Sequence, residues 1–476
     1  MRLKKLLKGV YYSGDIKNVC INKVTEVLEK VEKGSLFVAV RGIKTDGNAL
    51  VFEAVRRGAV AVVCEQSAIS PAVTFTGASF AVVSDARRAL ALISSNFYKN
   101  PSKKLSIIGI TGTNGKTTTA FMLWHILSKT VGKTGLIGTV KNIYTNSEIP
   151  ENTTPHAEDL HKMLAEMAKN GCRYAVMEAS SQGLHQKRTE GIDFRLGVFT
   201  NFSPEHMDYH KTENEYFNSK YIICGQSQTM LVNADDAKAD AFINAKFFSV
   251  NKQSDFYATN TILTKKSLIF TLHTVNEHVS VTVPCVGLFN IYNALCALSA
   301  AISLGVSPRD AAAAIATFKG VPGRQEFVEI PYPFDVMIDF AHTPKSLEQI
   351  LKTLRPLTDG KLICVFGCGG DRDRQKRPLM GRIAVENSDF AVITTDNPRT
   401  EPPVGIIDEI TAGIDEEYSE KYTVVPDREA AIKYALQYAG VGDTVLIAGK
   451  GHEDYQIIGT EKIPFDEKEI IKRTRL

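Results

Sequence analysis

The sequence predicts an α/β protein built mainly on parallel sheets and divided into three domains, residues 1–100, 101–323 and 324–476. The first observation is length, because 476 residues exceed what one ordinary hydrophobic core serves. The second is the alternation of near-continuous apolar runs with segments of helical period, which is typical of parallel sheets covered by helices. The third is a polar, proline-containing join at residues 98–105, which separates the first domain from the second.

The N-terminal domain is predicted to be a small α/β unit. Apolar runs at residues 35–40 and 59–64 have the length and composition of strands. Between them, residues 50–55 place apolar side chains at helical spacing. The order of strand, helix and strand favours a compact sheet with a helix on one face.

The central domain is predicted to be a parallel-sheet domain of the P-loop ATPase type. An apolar strand at residues 107–110 leads into a glycine-rich loop and then a helix. The later elements of this domain are an amphipathic helix, two buried strands and an alanine-rich helix, and they are predicted at residues 157–171, 172–180, 195–202 and 294–306.

The C-terminal domain is predicted to be Rossmann-like. Four apolar strands, each ending in glycine or polar residues, alternate with helical segments. These strands are predicted at residues 334–341, 361–370, 389–397 and 443–451.

Composition excludes several classes of protein. The net charge of +3 and the absence of a basic run give no reason to expect nucleic-acid binding. No stretch approaches the roughly 18 apolar residues of a membrane helix, and the N-terminus has no apolar segment of signal-peptide length. The eight cysteines are scattered and form no zinc set. We therefore expect a cytoplasmic protein with reduced thiols, acting as a monomer without membrane insertion.

The glycine-rich loop has the chemistry of a phosphate site. Gly112 and Gly115 let backbone amides approach phosphate oxygens, Lys116 adds a cation, and Thr117 offers a hydroxyl to magnesium. The usual frame would place glycine at position 110, where this chain has Ile110, so the loop is a variant of the common pattern. The competing interpretation is a glycine-rich turn without a ligand.

Polar residues follow two of the central strands. Glu178 ends a buried strand, where a carboxylate is costly unless it is paired or binds a metal. His206 follows the next strand, with Asp208 and His210 nearby. Taken alone, Glu178 would be a helix N-cap and His206 a solvated loop residue. Beside a phosphate loop, Thr117, Glu178 and nucleotide oxygens make a plausible Mg²⁺ site.

Residues 111–119, TGTNGKTTT, resemble the nucleotide loop of the Mur ligases, the ATP-dependent enzymes that build the stem peptide of peptidoglycan. The similarity extends over essentially the whole chain and implies ATP and Mg²⁺ as cofactors. It also implies that a substrate carboxylate attacks the γ-phosphate and that an amine displaces phosphate from the resulting acyl phosphate. The residues that the resemblance assigns to ATP are Gly112, Thr113, Asn114, Gly115, Lys116, Thr117, Thr118, Asn290, Asn293, Asp339 and His342.

The resemblance also implies a catalytic and metal-binding set. Glu178 and His206 would serve a second magnesium ion, and Lys220 matches a lysine that is carbamylated in the family, so that it too can bind a cation. Lys116 and Arg324 would neutralise charge on the transferred phosphoryl group. Taken alone, Lys220 would be a surface helix lysine and Arg324 a surface linker arginine. The metal set implied is Thr117, Glu178, His206 and Lys220 as its carbamate.

Within the family, the chain resembles the branch that extends a UDP-muramoyl dipeptide by a third residue. The matching stretches are residues 152–160 and 178–188. Hydroxyl groups and an arginine suit an anionic, amide-rich ligand. The resemblance assigns UDP-MurNAc-L-Ala-D-Glu to Thr153, Thr154, Ser180, Gln186 and Arg188.

The identity of the third residue is predicted from the C-terminal domain, where Asp-Asn-Pro-Arg resembles a motif linked with meso-diaminopimelate. Diaminopimelate differs from lysine by one carboxylate, which an arginine fork binds through two charge-assisted hydrogen bonds. L-Lysine or another diamino acid is the alternative. The residues assigned to diaminopimelate are Arg372, Asp396, Asn397, Pro398, Arg399, Gly449 and Glu453.

The chain departs from the family pattern in its first domain. Val27, Leu28 and Glu29 stand where the family has Asp-Ser-Arg, so the family's uridine contacts are not carried over to these positions. Gln182 replaces a common histidine and Glu205 a common aspartate, and both keep polarity. Two further hypotheses stay open, a nucleotide-binding switch or transport ATPase, and a degenerate paralogue that binds nucleotide but no longer handles the UDP-sugar.

Overall fold

The chain forms two compact units in the computed structural model, which describes residues 1–14, 16–42, 45–65, 77–144, 147–148, 150–207 and 209–475. Unit 1 consists of Met1–Thr259, Leu272–Val279 and Tyr292–Ile315. Unit 2 consists of Asn260–Thr271, Ser280–Ile291 and Ala316–Leu476.

The N-terminal part of unit 1 is a four-stranded parallel sheet in the order β1-β2-β3-β4. The two strands and the helix predicted there are present, because their apolar side chains fill the core on both faces of the sheet. The strands are β1 Lys23–Thr25, β2 Ser35–Val38, β3 Ala59–Cys64 and β4 Ser79–Val82, and the helices are α1 Leu3–Leu6, α2 Val51–Arg56 and α3 Ala86–Phe97.

The central sheet of unit 1 places β5 between β9 and β10, and all three strands are parallel. The strands are β5 Ser106–Thr111, β6 Thr134–Ile137, β7 Asn142–Ile143, β8 Ser147–Glu148, β9 Tyr174–Glu178, β10 Phe194–Phe199, β11 Met230–Asn233 and β12 Lys246–Ser249. The helices that accompany them are α4 Lys116–Thr130, α5 Ala157–Lys169, α6 Ser181–His185 and α7 Glu213–Gly225. Because the carboxyl ends of parallel strands lie at one edge, the loops after β5, β9 and β10 meet there.

Residues 256–315 include three strands that the sequence did not predict, β13 Phe256–Leu263, β14 Leu268–His273 and β15 His278–Val283. The helices α8 Phe289–Ser303 and α9 Pro308–Ile315 follow. The alanine-rich helix predicted at residues 294–306 therefore begins earlier, shortly after Gly287, and ends before Gly305. Both glycines have positive φ, which interrupts helical geometry on either side.

The C-terminal part of unit 2 contains a six-stranded sheet in the order β16-β17-β21-β18-β19-β20, in which only β16 is antiparallel to its neighbour. The strands are β16 Glu326–Phe327, β17 Asp335–Asp339, β18 Leu362–Phe366, β19 Phe390–Ile393, β20 Tyr422–Val424 and β21 Thr444–Ala448, followed by the hairpin β22 Tyr455–Ile458 and β23 Glu461–Pro464. The helices are α10 Pro344–Leu354, α11 Lys376–Asn387, α12 Pro403–Thr411, α13 Arg428–Tyr438 and α14 Glu467–Arg473.

These sheets confirm the predicted fold class, an α/β protein with parallel-sheet domains. The three domain boundaries stay a prediction. All eight cysteines are free. Among the residues that the structure describes, none of the helices combines the length and apolarity that a bilayer crossing requires.

Candidate active site

The phosphate loop has the conformation that its glycines require. Gly112 and Gly115 adopt φ values of 141° and 81°, in the left-handed region. Neither position has room for a side chain. A Cβ at Gly112 would lie 2.0 Å from Thr200 Oγ1, and one at Gly115 would lie 2.3 Å from Asn293 Oδ1. The departure at Ile110 is explained by its position, because this residue lies in β5 and is buried in the core.

Asn201, which no sequence motif identified, fixes the loop from a position just after β10. The backbone amide of Thr113 donates to the Asn201 carbonyl at 2.8 Å, and the amide of Asn114 donates to Asn201 Oδ1 at 2.9 Å. The hydroxyl of Thr113 donates to the carbonyl of Ser203 at 3.0 Å. Thr118, the remaining loop residue assigned to ATP, lies in the first turn of α4.

Two lysines converge on one carbonyl of the loop. Lys116 Nζ donates to the Gly112 carbonyl at 3.0 Å and to the Thr113 carbonyl at 2.8 Å. Lys220 Nζ donates to the same Gly112 oxygen at 2.8 Å and lies 4.2 Å from the ring centroid of Tyr216. The interpretation of Lys220 as a surface lysine is wrong, because only 1% of the residue is exposed. Burial, together with the nearby charge of Lys116, lowers the pKa of Lys220 well below that of a free lysine.

Glu178 lies at the end of β9 and is fully buried. Its Oε2 accepts from Thr117 Oγ1 at 2.8 Å and from Thr139 Oγ1 at 3.0 Å, and its Oε1 accepts from the Thr139 amide at 2.8 Å. The interpretation of Glu178 as a helix N-cap is wrong, because Ser180 caps α6 by accepting from the Gly183 amide. The structure thus joins the hydroxyl of the phosphate loop to this carboxylate, and adds Thr139, which no sequence motif identified.

His206 has an exposed ring in the loop after β10, 6.1 Å from the ring of Tyr216 by centroids. His210 is buried, and its Nε2 makes a hydrogen bond of 3.1 Å with Ser181 Oγ. Burial lowers the pKa of His210, and the neighbouring His185 lowers it further. Asp208, which the sequence placed near them, lies outside the described residues.

A cavity of about 270 Å³ brings the residues of three predicted roles together. It contains the phosphate-loop lysine, two residues of the proposed metal set and most residues assigned to the dipeptide. Its lining is Lys116, Glu151, Asn152, Thr153, Thr154, Ser180, Ser181, Gln182, Arg188, His206, Tyr216 and Lys220.

The residues assigned to the dipeptide are connected to the end of β9. Thr154 Oγ1 donates to the Glu178 carbonyl at 2.9 Å, and the Ser180 amide donates to Thr154 Oγ1 at 3.0 Å. Arg188 Nη1 donates to the Thr154 carbonyl at 2.6 Å. Gln186 is not among the cavity residues, but its Oε1 accepts from Arg188 Nη2 at 2.8 Å and therefore orients that guanidinium. Thr153 joins this group through a 3.1 Å contact between its hydroxyl and that of Thr139.

The two asparagines assigned to ATP, Asn290 and Asn293, belong to different units. Asn293 lies in unit 1, where Thr119 Oγ1 donates to its Oδ1 at 3.5 Å next to the phosphate loop. Asn290 lies in unit 2, where its Nδ2 donates to the Val286 carbonyl and to Gln325 Oε1, both at 2.7 Å. Both protons of the Asn290 amide are therefore used within the protein, so any contact with a base would fall to its oxygen.

In unit 2, Arg324, Asp339 and His342 surround Phe340. The guanidinium carbon of Arg324 lies 4.4 Å from the Phe340 ring centroid, and His342 Nδ1 makes a hydrogen bond of 2.8 Å with the Phe340 carbonyl. Asp339 accepts backbone hydrogen bonds of 2.8 Å from Gln325 and from Ala341. Burial raises the pKa of Asp339, while the charge of Arg324 opposes that shift.

Arg399 and Arg372 both contact the loop of Gly369 and Gly370 in unit 2. Arg399 Nη1 donates to the Gly370 carbonyl at 2.8 Å, and Arg372 Nη1 donates to the Asp371 carbonyl at 3.1 Å. A Cβ at Gly369 would lie 2.9 Å from Arg399 Nη1 and 3.7 Å from Arg372 Cγ. Burial and the like charge of Arg372 lower the pKa of Arg399. A carboxylate between the two guanidinium groups would relieve this repulsion.

The other residues assigned to diaminopimelate lie on neighbouring loops. Asn397 Nδ2 donates to Glu453 Oε2 at 2.8 Å, and the Asn397 amide donates to Asp396 Oδ1 at 2.7 Å. The second oxygen of Asp396, Oδ2, is buried and makes no hydrogen bond with any residue in the described ranges. Gly449, at φ 117°, faces this oxygen, because a Cβ there would lie 2.7 Å from Asp396 Oδ2.

The loop that carries Pro398 and Arg399 is braced by a buried arginine that the sequence did not reveal. Arg377 donates from Nη1 and Nη2 to the two carboxylate oxygens of Glu401, at 2.9 and 2.8 Å, and from Nη2 to the Gly369 carbonyl at 3.3 Å. These hydrogen bonds hold the pKa of Glu401 down at about 2. A Cβ at Gly370 would lie 1.9 Å from the Pro398 carbonyl oxygen, so the two loops are in close contact.

Three family models match, described as the Mur ligase family catalytic domain at residues 29–98, the Mur ligase middle domain at 110–301, and the Mur ligase glutamate ligase domain at 323–451.

Individual relatives match over nearly their whole length. The UDP-N-acetylmuramoyl-L-alanyl-D-glutamate–2,6-diaminopimelate ligase of Clostridium botulinum is 41% identical, with 99% of each chain covered. The protein of the same name from Caldanaerobacter subterraneus subsp. tengcongensis is 42% identical, with 99% of this chain and 98% of that protein covered. A solved structure of a ligase of this name is 31% identical with a TM-score of 0.70, and covers 95% of this chain and 94% of its own. The chain therefore belongs to the Mur ligase family.

Proposed function

We propose that this protein is an ATP-dependent amide ligase that joins meso-diaminopimelate to UDP-N-acetylmuramoyl-L-alanyl-D-glutamate. Relatives about 40% identical over the full chain carry the name of that ligase. The observation that carries the choice of amino acid is the convergence of Arg372 and Arg399 on one loop, beside the hydrogen-bonded pair of Asn397 and Glu453.

The phosphate loop supports binding of the ATP triphosphate. Gly112 and Gly115 give the loop its positive-φ turns, and the first turn of the 15-residue helix α4 would direct its backbone amides and dipole toward the phosphates. Lys116 Nζ bonds to two carbonyls of its own loop, and phosphate oxygens would replace these acceptors with charged ones.

The residues present also fit Mg²⁺. The hydroxyl of Thr117 and the buried carboxylate of Glu178 supply the oxygen donors that this ion prefers, and His206 and a carbamate on Lys220 would complete the set. Among the described residues no group of three or more His, Cys, Asp or Glu side chains could hold a metal ion. In the proposed site, phosphate oxygens and waters would therefore share the coordination with these residues. When bound, Mg²⁺ would supply positive charge that offsets the charge of the phosphates.

The reaction proceeds in two steps. A carboxylate oxygen of the dipeptide's D-glutamate attacks the γ-phosphorus, the bond between that phosphorus and the ADP oxygen breaks, and an acyl phosphate forms. The amine of diaminopimelate then attacks the acyl carbon, phosphate leaves, and the nitrogen loses a proton. Within the cavity, Lys116 would stabilise the transferred phosphoryl group, and Thr153, Thr154, Ser180 and Arg188 would hold the dipeptide. Arg324, which lies in unit 2, is the other cation assigned to the transferred phosphoryl group.

Diaminopimelate, the second substrate, would be selected through its charged carboxylate and ammonium groups. The distant carboxylate of diaminopimelate would lie between Arg372 and Arg399, and its ammonium group would meet Glu453 and the unpaired Oδ2 of Asp396. L-Lysine lacks that carboxylate and would leave the two guanidinium groups without a counter-ion.

A phosphate-release assay with the purified protein tests the proposal. We expect release only when ATP, the UDP-dipeptide and meso-diaminopimelate are all present. Release with ATP alone would favour a nucleotide switch or a transport ATPase. No release with any diamino acid would favour a paralogue that has lost the UDP-sugar, consistent with the altered residues Val27, Leu28 and Glu29.

A further inference from the structure

Lys450 follows Gly449 at the end of β21, and its side chain has no solvent exposure. A buried charge is costly unless ion pairs and hydrogen bonds compensate it. Lys450 Nζ donates to Asn397 Oδ1 at 3.0 Å and to Glu453 Oε2 at 3.1 Å. No sequence motif assigned a role to this residue.

The three side chains form a closed triangle. Asn397 Nδ2 donates to the same Glu453 Oε2 that Lys450 contacts, at 2.8 Å. The backbone amide of Ile457 donates to Asn397 Oδ1 at 3.0 Å, so two donors meet the oxygen of that amide and fix its orientation. Lys450 therefore connects the loop after β19, the loop after β21 and the hairpin strand β22.

The triangle leaves one carboxylate oxygen for a ligand. Glu453 Oε2 accepts two hydrogen bonds, whereas Oε1 accepts none from the residues that the structure describes. The side chain of Glu453 is 20% exposed, so Oε1 can be reached from outside the protein. If Lys450 were absent, Glu453 would keep only the Asn397 contact, and Asn397 Oδ1 would keep only the Ile457 amide.

We propose that Lys450 is a positioning residue for the amino-acid substrate. Its Nζ donates to Glu453 Oε2 and Asn397 Oδ1 from the buried side of the site. These contacts direct Glu453 Oε1 toward the ammonium group of the incoming diamino acid, while Lys450 itself does not touch that substrate. The inference deepens the proposed function and rests on it for the identity of the ligand, but the triangle itself does not depend on that identity.

The test uses Lys450→Met, whose unbranched apolar chain fills the same space without charge, together with Glu453→Gln and the double variant. We expect Lys450→Met to raise KM for meso-diaminopimelate by about tenfold or more, while KM for ATP stays within about twofold. Because Lys450 acts through Glu453, the KM of the double variant for meso-diaminopimelate should be at most about threefold above that of Glu453→Gln. Lys433→Met, which removes an exposed lysine paired with Glu429, is the matched control and should leave both constants unchanged.

Three results would overturn the inference. Additive effects in the double variant would mean that Lys450 contacts the substrate itself. Equal rises in the KM values for both substrates, with a lower melting temperature, would mean a purely structural role. A crystal structure of Lys450→Met in which Asn397 and Glu453 keep their positions would exclude positioning whichever amino acid the enzyme takes. The two proposals can also fail separately. If Asn397 and Glu453 are displaced in the Lys450→Met structure but the wild-type protein releases no phosphate with any diamino acid, the proposed function is rejected and the positioning role of Lys450 is kept.

Discussion

At the scale of single residues, Arg399 makes the most specific contribution, because it has positive φ and a guanidinium group constrained by the Gly370 carbonyl. A non-glycine residue in this conformation is uncommon and is retained where the surrounding structure fixes it. The result is a guanidinium fixed on the loop that also carries Arg372, where the proposal places the distant carboxylate of the substrate.

Replacing Arg399 by alanine should impair use of diaminopimelate. Loss of a carboxylate fork costs roughly 2–4 kcal/mol, so KM for meso-diaminopimelate should rise roughly 30- to 1,000-fold while KM for ATP stays near the wild-type value. Steady-state kinetics measures both constants. Arg382→Ala, which removes an exposed arginine paired with Glu386 on α11, is the control. An unchanged KM for the amino acid would reject the role given to Arg399.

Lys220 should carry a carbamate when the protein is kept in bicarbonate. Its amine is buried and shares the Gly112 carbonyl with Lys116, so conversion to an anion would replace repulsion with attraction. In protein equilibrated with ¹³C-bicarbonate, carbon NMR should show one carbamate signal that is absent from Lys220→Met. A signal that persists in the variant would assign the modification elsewhere.

Single residues differ in how well the sequence revealed them. Gly112, Gly115 and Lys116 were identifiable because their spacing reflects local backbone geometry. The burial of Lys220 was not, since the charge of the side chain favours the surface and only tertiary packing encloses it. The role of Lys450 could not be predicted either, because its partner Asn397 is distant in sequence and only tertiary packing brings the two together.

At the scale of elements, several buried parallel strands were predicted, whereas the buried β6 and β11 and the exposed β13 and β15 were not. β18 and β21 are continuous apolar runs because helices cover both faces of the sheet. β13 and β15 contain several exposed polar residues, so their sequences lack that signal. The loops at the carboxyl ends of β5, β9 and β10 carry the phosphate-loop and metal-set residues of unit 1. Because these ends lie at one edge of the sheet, residues distant in sequence are close together there.

The brace between Arg377 and Glu401 should stabilise the protein in a pH-dependent way. The pKa of Glu401 falls from its ordinary 4.5 to about 2 in the folded state, so the contribution is present above pH 4.5 and is lost as pH falls toward 2. Wild type should melt at a higher temperature than Glu401→Gln at pH 7, and the difference should shrink across that acid window. Thermal melts at stepped pH measure this, and a difference independent of pH would contradict it.

At the scale of the whole molecule, the proposed roles divide between the two units. The phosphate loop, the metal set and the dipeptide residues lie in unit 1, whereas Arg324 and the residues assigned to diaminopimelate lie in unit 2. This division matches the two chemical steps, because activation of the carboxylate draws mainly on unit 1 and selection of the amine on unit 2.

The two steps should therefore be separable by mutation. With ATP, the UDP-dipeptide and hydroxylamine but no diamino acid, wild type should form a hydroxamate from the acyl phosphate. Arg399→Ala should form it at a similar rate, whereas Lys116→Ala should lose it by about 100-fold or more, since a positioned cation on the phosphoryl group is removed. Colorimetric detection of the hydroxamate measures the step. Equal loss in both variants would contradict the division of roles.

The most direct test of the central claim is a competition between meso-diaminopimelate and L-lysine at equal concentration, with ATP and the UDP-dipeptide, followed by mass analysis of the product. The two products differ by one carboxyl group. We expect the diaminopimelate product to exceed the lysine product by about 100-fold in wild type, and Arg399→Ala to reduce this ratio by at least tenfold. Equal incorporation of both amino acids by the wild-type protein would contradict it.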